Sequence, residues 1–274
     1  MRPLGPGARP GEGLEVIAHL ARSNVLDVYD AWCARRGCRV ALKTLRPDRR
    51  RDAAARRALL REGRLLTRLG HPHLVRAYEV RDGERPLIVL ETLRGATLGA
   101  LVDRRRLTAA EAAHLGLQVG SALRHLHAEG LVHLDVKPSN VIAHAGVAKL
   151  IDLSLARRPG RVPAGLGTWS NLAPEQARGE HAGPAADVWG LATLLHEALT
   201  GCPVHGADEA AEFPCLERRA DPIRAHRPRL PRPLAAVLDG ALEPDPAARP
   251  SLTALLQVLD AAAGRPAGPG RYAN

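Results

Sequence analysis

Nine residues constrain this 274-residue chain more than any others: Val132-His133-Leu134-Asp135-Val136-Lys137-Pro138-Ser139-Asn140. An apolar lead-in, Gly130-Leu131-Val132, runs into a carboxylate, with a lysine two residues on and an asparagine five residues on. Shortly afterwards Lys149-Leu150-Ile151-Asp152 ends an apolar run on a second carboxylate. Taken singly, these pieces read as a turn with an Asx cap and two surface carboxylates. Taken together, they set two carboxylates, an ammonium and a carboxamide within one short span.

The whole stretch resembles the catalytic loop and metal-binding strand of protein kinases, with Leu134 where that family usually has Arg. The resemblance implies that Asp135 accepts the substrate hydroxyl proton and that Lys137 lies against the transferring phosphate. Asn140 and Asp152 are then the metal ligands, suited by their oxygens to Mg²⁺, with Mn²⁺ as the alternative. Val40-Ala41-Leu42-Lys43 is similar to the family's V-A-I-K strand. Alternation along a strand points Ala41 and Lys43 to one face, so Ala41 leaves room for adenine and Lys43 reaches the ATP phosphates. Asp52 to Leu69 reads as a helix, and Glu62 is centred on its apolar face between Ala58, Leu59, Leu65 and Leu66. A charge there is costly unless paired, and the resemblance names Lys43 as its partner; Arg61 or Arg64 at the helix edge is the alternative.

Further matches run along the chain. Leu90-Glu91-Thr92-Leu93 resembles the hinge, whose backbone at Glu91 and Leu93 would meet adenine, with Val28 and Ile142 on either side of the ring. His71-Pro72-His73-Leu74-Val75 is similar to the family's H-P-N-I-V turn. Asp152-Leu153-Ser154 stands where the family has D-F-G: Leu153 fills the apolar role, and Ser154 lacks glycine's freedom to flip. Gly167-Thr168 and Ala173-Pro174-Glu175 resemble the substrate platform, with Thr168 expected on Asp135 and Lys137. Ala186-Asp187-Val188-Trp189-Gly190 resembles the central helix of the large lobe, whose Asp holds the catalytic-loop backbone. Asp245-Pro246-Ala247-Ala248-Arg249-Pro250 resembles the closing motif, which implies an Arg249–Glu175 ion pair.

Two departures stand out. Aligned on Val28, the three glycines of the family's phosphate-covering loop are Ala21, Ser23 and Leu26, so close backbone approach to phosphate is in question. From Leu155 through Gly167 there is no Ser, Thr or Tyr, and Leu134 removes the arginine that often reads an activating phosphate. Activity is therefore expected not to depend on phosphorylation of that segment.

Composition sets the remaining bounds. Aromatic residues make up 3% of the chain, so the core must rest on Leu, Val and Ala. The formal net charge of +10 reads as a solvated Arg-rich surface, because no aromatic-interleaved basic patch points to nucleic acid. The only lysines are Lys43, Lys137 and Lys149, and two of them lie in motifs where a compact ammonium is required. Cys33, Cys38, Cys202 and Cys215 form no C-x-x-C pair and read as free thiols of a reducing compartment. No stretch approaches a membrane span, and a cytoplasmic protein follows. The expected fold is α+β and bilobal: a disordered lead over 1–12, a protein kinase domain over 13–262 (small lobe 13–93, large lobe 94–262), and a flexible tail over 263–274. The implied function is ATP-dependent phosphorylation of Ser/Thr on protein substrates. A kinase-shaped scaffold without turnover is the alternative. A small-molecule phosphotransferase is disfavoured by the A-P-E, D-x-W-G and closing-Arg elements. The sequence names neither the substrate nor the oligomeric state.

Overall fold

The computed structural model describes residues 2–206 and 212–264. The chain forms two compact units, one of residues up to Arg94 with Ile151–Ser154, the other of Gly95–Leu150 with the residues from Leu155 onward. The architecture is α+β, with a sheet and one long helix in the first unit and mainly helices in the second. Ile151–Ser154, which fall inside the 94–262 span expected for the large lobe, group with the first unit. Residues 265–274 of the expected tail lie outside the described residues.

The first unit is a five-stranded antiparallel sheet of β1 (Leu14–Arg22), β2 (Leu26–Cys33), β3 (Cys38–Leu45), β4 (Ala77–Arg81) and β5 (Leu87–Glu91), in the order β1-β2-β3-β5-β4. Period-two alternation buries Leu14 and Val16 and leaves Glu15 and Ile17 exposed. The sequence extends that alternation to Leu20, yet Leu20 is 58% exposed. Register shifts at Val16/Ala18 and His19/Ala21 break the period, as bulges do. Cys33 and Cys38 are register partners across β2 and β3, both as free thiols.

Helix α1 (Ala53–Arg68) starts on Asp52, whose carboxylate accepts from the amides of Ala54 and Ala55. Its buried face is Leu59, Leu60, Glu62, Gly63 and Leu66. A Cβ on Gly63 would come within 2.7 Å of Val80 Cγ2 and 3.0 Å of Ile88 Cγ1, so glycine lets α1 seat directly on β4 and β5 and carries Glu62 in with it.

The expected disordered lead needs correction over residues 2–12. Gly7 N donates to Val16 O at 2.8 Å, Val16 N to Ala8 O at 2.9 Å, and Leu4 N to Tyr29 Oη at 3.1 Å. Leu4 and Ala8 pack against the core of the sheet. β1 is an edge strand, and its unpaired backbone groups offer an extended segment partners that composition does not reveal.

The second unit opens with β6 (Ala96–Thr97), α2 (Leu98–Val102) and α3 (Ala109–Ala128). Thr108 and Glu111 form a capping box at the start of α3, and Gly130 follows its end with φ 70°. Strands β7 (Val141–His144) and β8 (Val147–Leu150) join β6 in a three-stranded sheet. The pair β9 (Gly160–Arg161) and β10 (His181–Ala182) flanks α4 (Pro174–Arg178). Then come α5 (Pro184–Thr200), α6 (Pro214–Glu217), α7 (Ile223–His226), α8 (Arg232–Ala241) and α9 (Leu252–Ala263). α5 is buried on nearly every side, which its unbroken apolar sequence requires. α3 meets α5 and α9 through Gly116 and Gly120, where any Cβ would collide with Leu195, Leu256 or Leu259.

Candidate functional site

In the first unit the sequence-derived residues converge on one ammonium. Lys43 lies on β3, beside Val28 in register on β2 and two residues from Ala41. Its Nζ donates to Glu62 Oε1 at 2.8 Å and to Asp152 Oδ2 at 3.1 Å. The expected Lys43–Glu62 pair is thus present, and Arg61, one of the two alternative partners, instead donates to Ser154 O at 2.6 Å. Glu62 is fully buried; its Oε1 also accepts from Leu153 N at 3.3 Å, and its Oε2 has no partner.

One ammonium serving two carboxylates sets their charges apart. Burial opposes the charge on Lys43, but Glu62 and Asp152 together outweigh it and hold the lysine above its ordinary value. Burial also opposes the charge on Asp152, but Lys43 and hydrogen bonds from Ser154 bring it down to about 2. Glu62 is the group left short: burial pushes it up to about 7, against the pull of Lys43 and with a push from Asp152. Leu153 is buried, and Ser154 N donates to Asp152 Oδ1 at 2.7 Å, so the Asp-Leu-Ser turn is tied at both ends. Glu91 ends β5; its Oε1 accepts from Arg76 N at 2.9 Å, and Leu93 follows two residues later.

The hairpin between β1 and β2 solves its turn without glycine. Ser23 Oγ accepts from Leu26 N at 3.0 Å, and Ser23 N donates to Leu26 O at 2.8 Å. Just behind this turn Asp27, fully buried, takes Arg22 through Nε at 2.7 Å and Nη2 at 3.0 Å, His19 at 3.0 Å and Tyr29 Oη at 3.1 Å. Burial works against the Asp27 charge, but these donors hold its carboxyl below the usual range. Sequence reading saw the missing glycines and missed this network. Its available signal was an Asp facing an Arg and a His across a short hairpin.

In the second unit Asp135, Lys137 and Asn140 are brought together, with Thr168. Thr168 Oγ1 donates to Asp135 Oδ1 at 2.7 Å and accepts from Lys137 Nζ. Lys137 Nζ lies 2.9 Å from Asp135 Oδ2. Asn140 Nδ2 donates to Asp135 O and Asp135 Oδ2, both at 2.9 Å. Asn140 thus spends its amide nitrogen on Asp135. An amide oxygen such as that of Asn140 and an ionised carboxylate such as Asp152 are each hard donors of the kind Mg²⁺ takes. Ile142 lies on β7, opposite Lys149 of β8.

The loop is held from beneath by Asp187, which accepts from His133 N and Leu134 N at 2.8 Å each and lies 2.8 Å from His127 Nε2. His127, in the last turn of α3, carries no sequence signal of this role. Leu134 is a non-glycine residue at φ 65°, a conformation costing about 1–3 kcal/mol that persists only where the surroundings impose it. Arg249 and Glu175 form the expected pair, bidentate at 2.7 and 2.7 Å.

A protein kinase domain model matches residues 15–259. The chain belongs to the protein kinase domain family. It is 35% identical over 246 residues to the serine/threonine-protein kinase PkaA of Streptomyces coelicolor, covering 86% of this chain and 44% of that protein. It is 31% identical to the serine/threonine-protein kinase PknD of Mycobacterium tuberculosis, covering 86% of this chain and 37% of that one. The chain thus spans well under half the length of these relatives. Its fold matches the crystal structure of the PknI kinase domain of Mycobacterium tuberculosis with a TM-score of 0.75 at 26% identity, covering 95% of this chain and 100% of that chain.

Proposed function

We propose that this chain transfers the γ-phosphoryl group of ATP to Ser or Thr hydroxyls of protein substrates. The observation that carries the reading is the Asp135 carboxylate, held at once by Thr168, Lys137 and Asn140. A base so fixed can take a hydroxyl proton without reorganising. Lys137 beside it offsets charge on the transferring group. Lys43 binds the α- and β-phosphates, and Glu62 keeps it extended toward them. Mg²⁺ held by Asn140 and Asp152 would neutralise phosphate charge. Val28, Ala41 and Ile142 line the adenine, which the backbone at Glu91 and Leu93 recognises. The scaffold reading loses ground because Lys43, Glu62, Asp135, Lys137, Asn140 and Asp152 are all present and hydrogen-bonded. Activity is independent of phosphorylation between Leu155 and Gly167, which holds no hydroxyl. No described helix is long and apolar enough to cross a membrane. The four free thiols support a reducing, cytoplasmic setting.

The test is transfer of γ-labelled phosphate from ATP, with Mg²⁺ and separately Mn²⁺, to a generic basic protein. Asp135→Asn is expected to lower the rate by about 10²–10⁴-fold while ATP still raises the melting temperature. Equal label in both proteins would sink the assignment of Asp135. No label in either, with the ATP shift intact, would establish the scaffold reading instead.

A further inference from the structure

Gln176 stands one residue beyond Ala173-Pro174-Glu175, in α4, and is 2% exposed. Its carboxamide is used at both ends. Nε2 donates to Leu134 O at 2.9 Å and to Leu166 O at 2.8 Å, while Oε1 accepts from Ala173 N at 3.4 Å. Its backbone oxygen takes Gly165 N at 2.9 Å. Leu134 belongs to the catalytic loop, and Leu166 to the segment that delivers Thr168 to Asp135 and Lys137. One buried side chain therefore ties the two.

Both partners are shaped for the tie. Leu134 reaches it at φ 65°, and Gly167 passes it at φ 133°. A Cβ on Gly167 would stand 3.1 Å from Leu134 O and 3.3 Å from Gln176 Nε2, so the segment comes this close only as glycine. Two carbonyl oxygens facing one point require two N–H donors on one atom, with an acceptor beside them for Ala173 N. A primary amide supplies that set; a carboxylate would present oxygen to oxygen, and an apolar chain nothing. Nothing between Leu155 and Gly167 can carry a phosphate, and Leu134 is buried and uncharged. The near half of the segment is held separately, by Val162 N on Glu180 O at 3.1 Å and by the β9–β10 pair.

We propose that Gln176 is a positioning residue: its amide, rather than a phosphate, sets Leu166–Thr168 against the catalytic loop and keeps Thr168 on Asp135 and Lys137. The regulatory part of this proposal rests on the kinase reading; the tie itself does not.

The experiment compares the full chain with Gln176→Glu and with Gln176→Met, which fills the same space without donors. Phosphate is removed enzymatically from all three and checked by mass. Amide exchange is read over 165–168 and over Val162 and Ala182, alongside kcat and KM for ATP and acceptor. Exchange over 165–168 should rise about tenfold in both variants, with Val162 and Ala182 unchanged. kcat should fall roughly 10–100-fold with KM for ATP within twofold. Unchanged exchange over 165–168 in both variants would overturn the tie. So would a kcat loss accompanied by equal exchange gains at Val162 and Ala182, which marks general loosening. A dephosphorylated wild type that regains activity only when Thr168 or Ser170 is phosphorylated would overturn the regulatory role. If the wild type transfers no phosphate, the kinase reading fails and the regulatory role with it, while selective release over 165–168 would still support the tie.

Discussion

Each unit buries one glutamate against one cation, and the two pairs are finished to different degrees. Arg249 uses every N–H it has: two on Glu175, and one each on the carbonyls of Ala185, Glu243 and Pro244, at 2.7–3.2 Å. Its guanidinium also lies 5.0 Å over the ring of Trp189, which stacks on His205 with ring centroids 6.0 Å apart. Lys43 instead divides one ammonium between Glu62 and Asp152, and Glu62 keeps an unpartnered buried oxygen. A planar fork with all donors consumed can only hold the fold together. A point charge shared between two carboxylates, one of them raised toward neutrality, is free to exchange partners when an anion arrives. The two pairs thus differ in satisfaction, not in burial.

The sharpest way to break this comparison is Lys43→Met. Phosphoryl transfer should drop on the order of 10²–10³-fold, with only a small change in the unfolding midpoint, because Glu62, already near 7, takes a proton once its partner is gone. A large fall in the midpoint would show that this pair too is structural. Arg249→Met should do the reverse. It strands Glu175 and three carbonyl groups, and is expected to cost about 3–5 kcal/mol of stability by denaturant unfolding, with the activity per folded molecule little altered.

A smaller effect separates the acid response of the second unit. Burial holds His196 and His205 down to about 4, against an unfolded value near 6.5. Such depressed bases favour the fold fully above pH 6.5. The gain is lost as pH falls from there through 4, because the unfolded chain takes up the proton first. Each contributes on the order of 2 kcal/mol, read as the change in unfolding free energy between pH 7.5 and 5. His205 has no hydrogen-bond partner at either ring nitrogen, so His205→Phe should keep the stack on Trp189 and flatten part of that slope. An unchanged slope would show that His205 is not one of its sources.

Much of both units was legible in advance because their signals are local. The helix over Asp52 to Leu69 with Glu62 on its apolar face, and the alternation that sets Ala41 and Lys43 on one side of a strand, are short-range patterns that backbone geometry translates directly. Lys43, Glu62, Asp135, Asn140 and Asp152 were legible through their spacing, and Arg249–Glu175 through motif resemblance. The misses share a cause. The lead over residues 2–12 is ordered by the edge of β1, a partner its own composition does not mention. Leu20 turns outward because bulges reset the alternation. Asp27, His127 and Gln176 are unremarkable letters until folding surrounds them with Arg22 and His19, with Asp187, and with two carbonyl oxygens.

The sequence alone therefore determined which elements form, which family the chain joins and which groups can carry charge and protons, since these follow from residue type and spacing. Only the tertiary structure decided that Ile151–Ser154 pack with the first unit, that Glu62 rather than Asp152 is the carboxylate left short of a partner, and that a buried amide ties the segment before Thr168 to the catalytic loop. Those outcomes depend on desolvation and on which donors arrive at the same point, and neither is a property of any stretch of chain by itself.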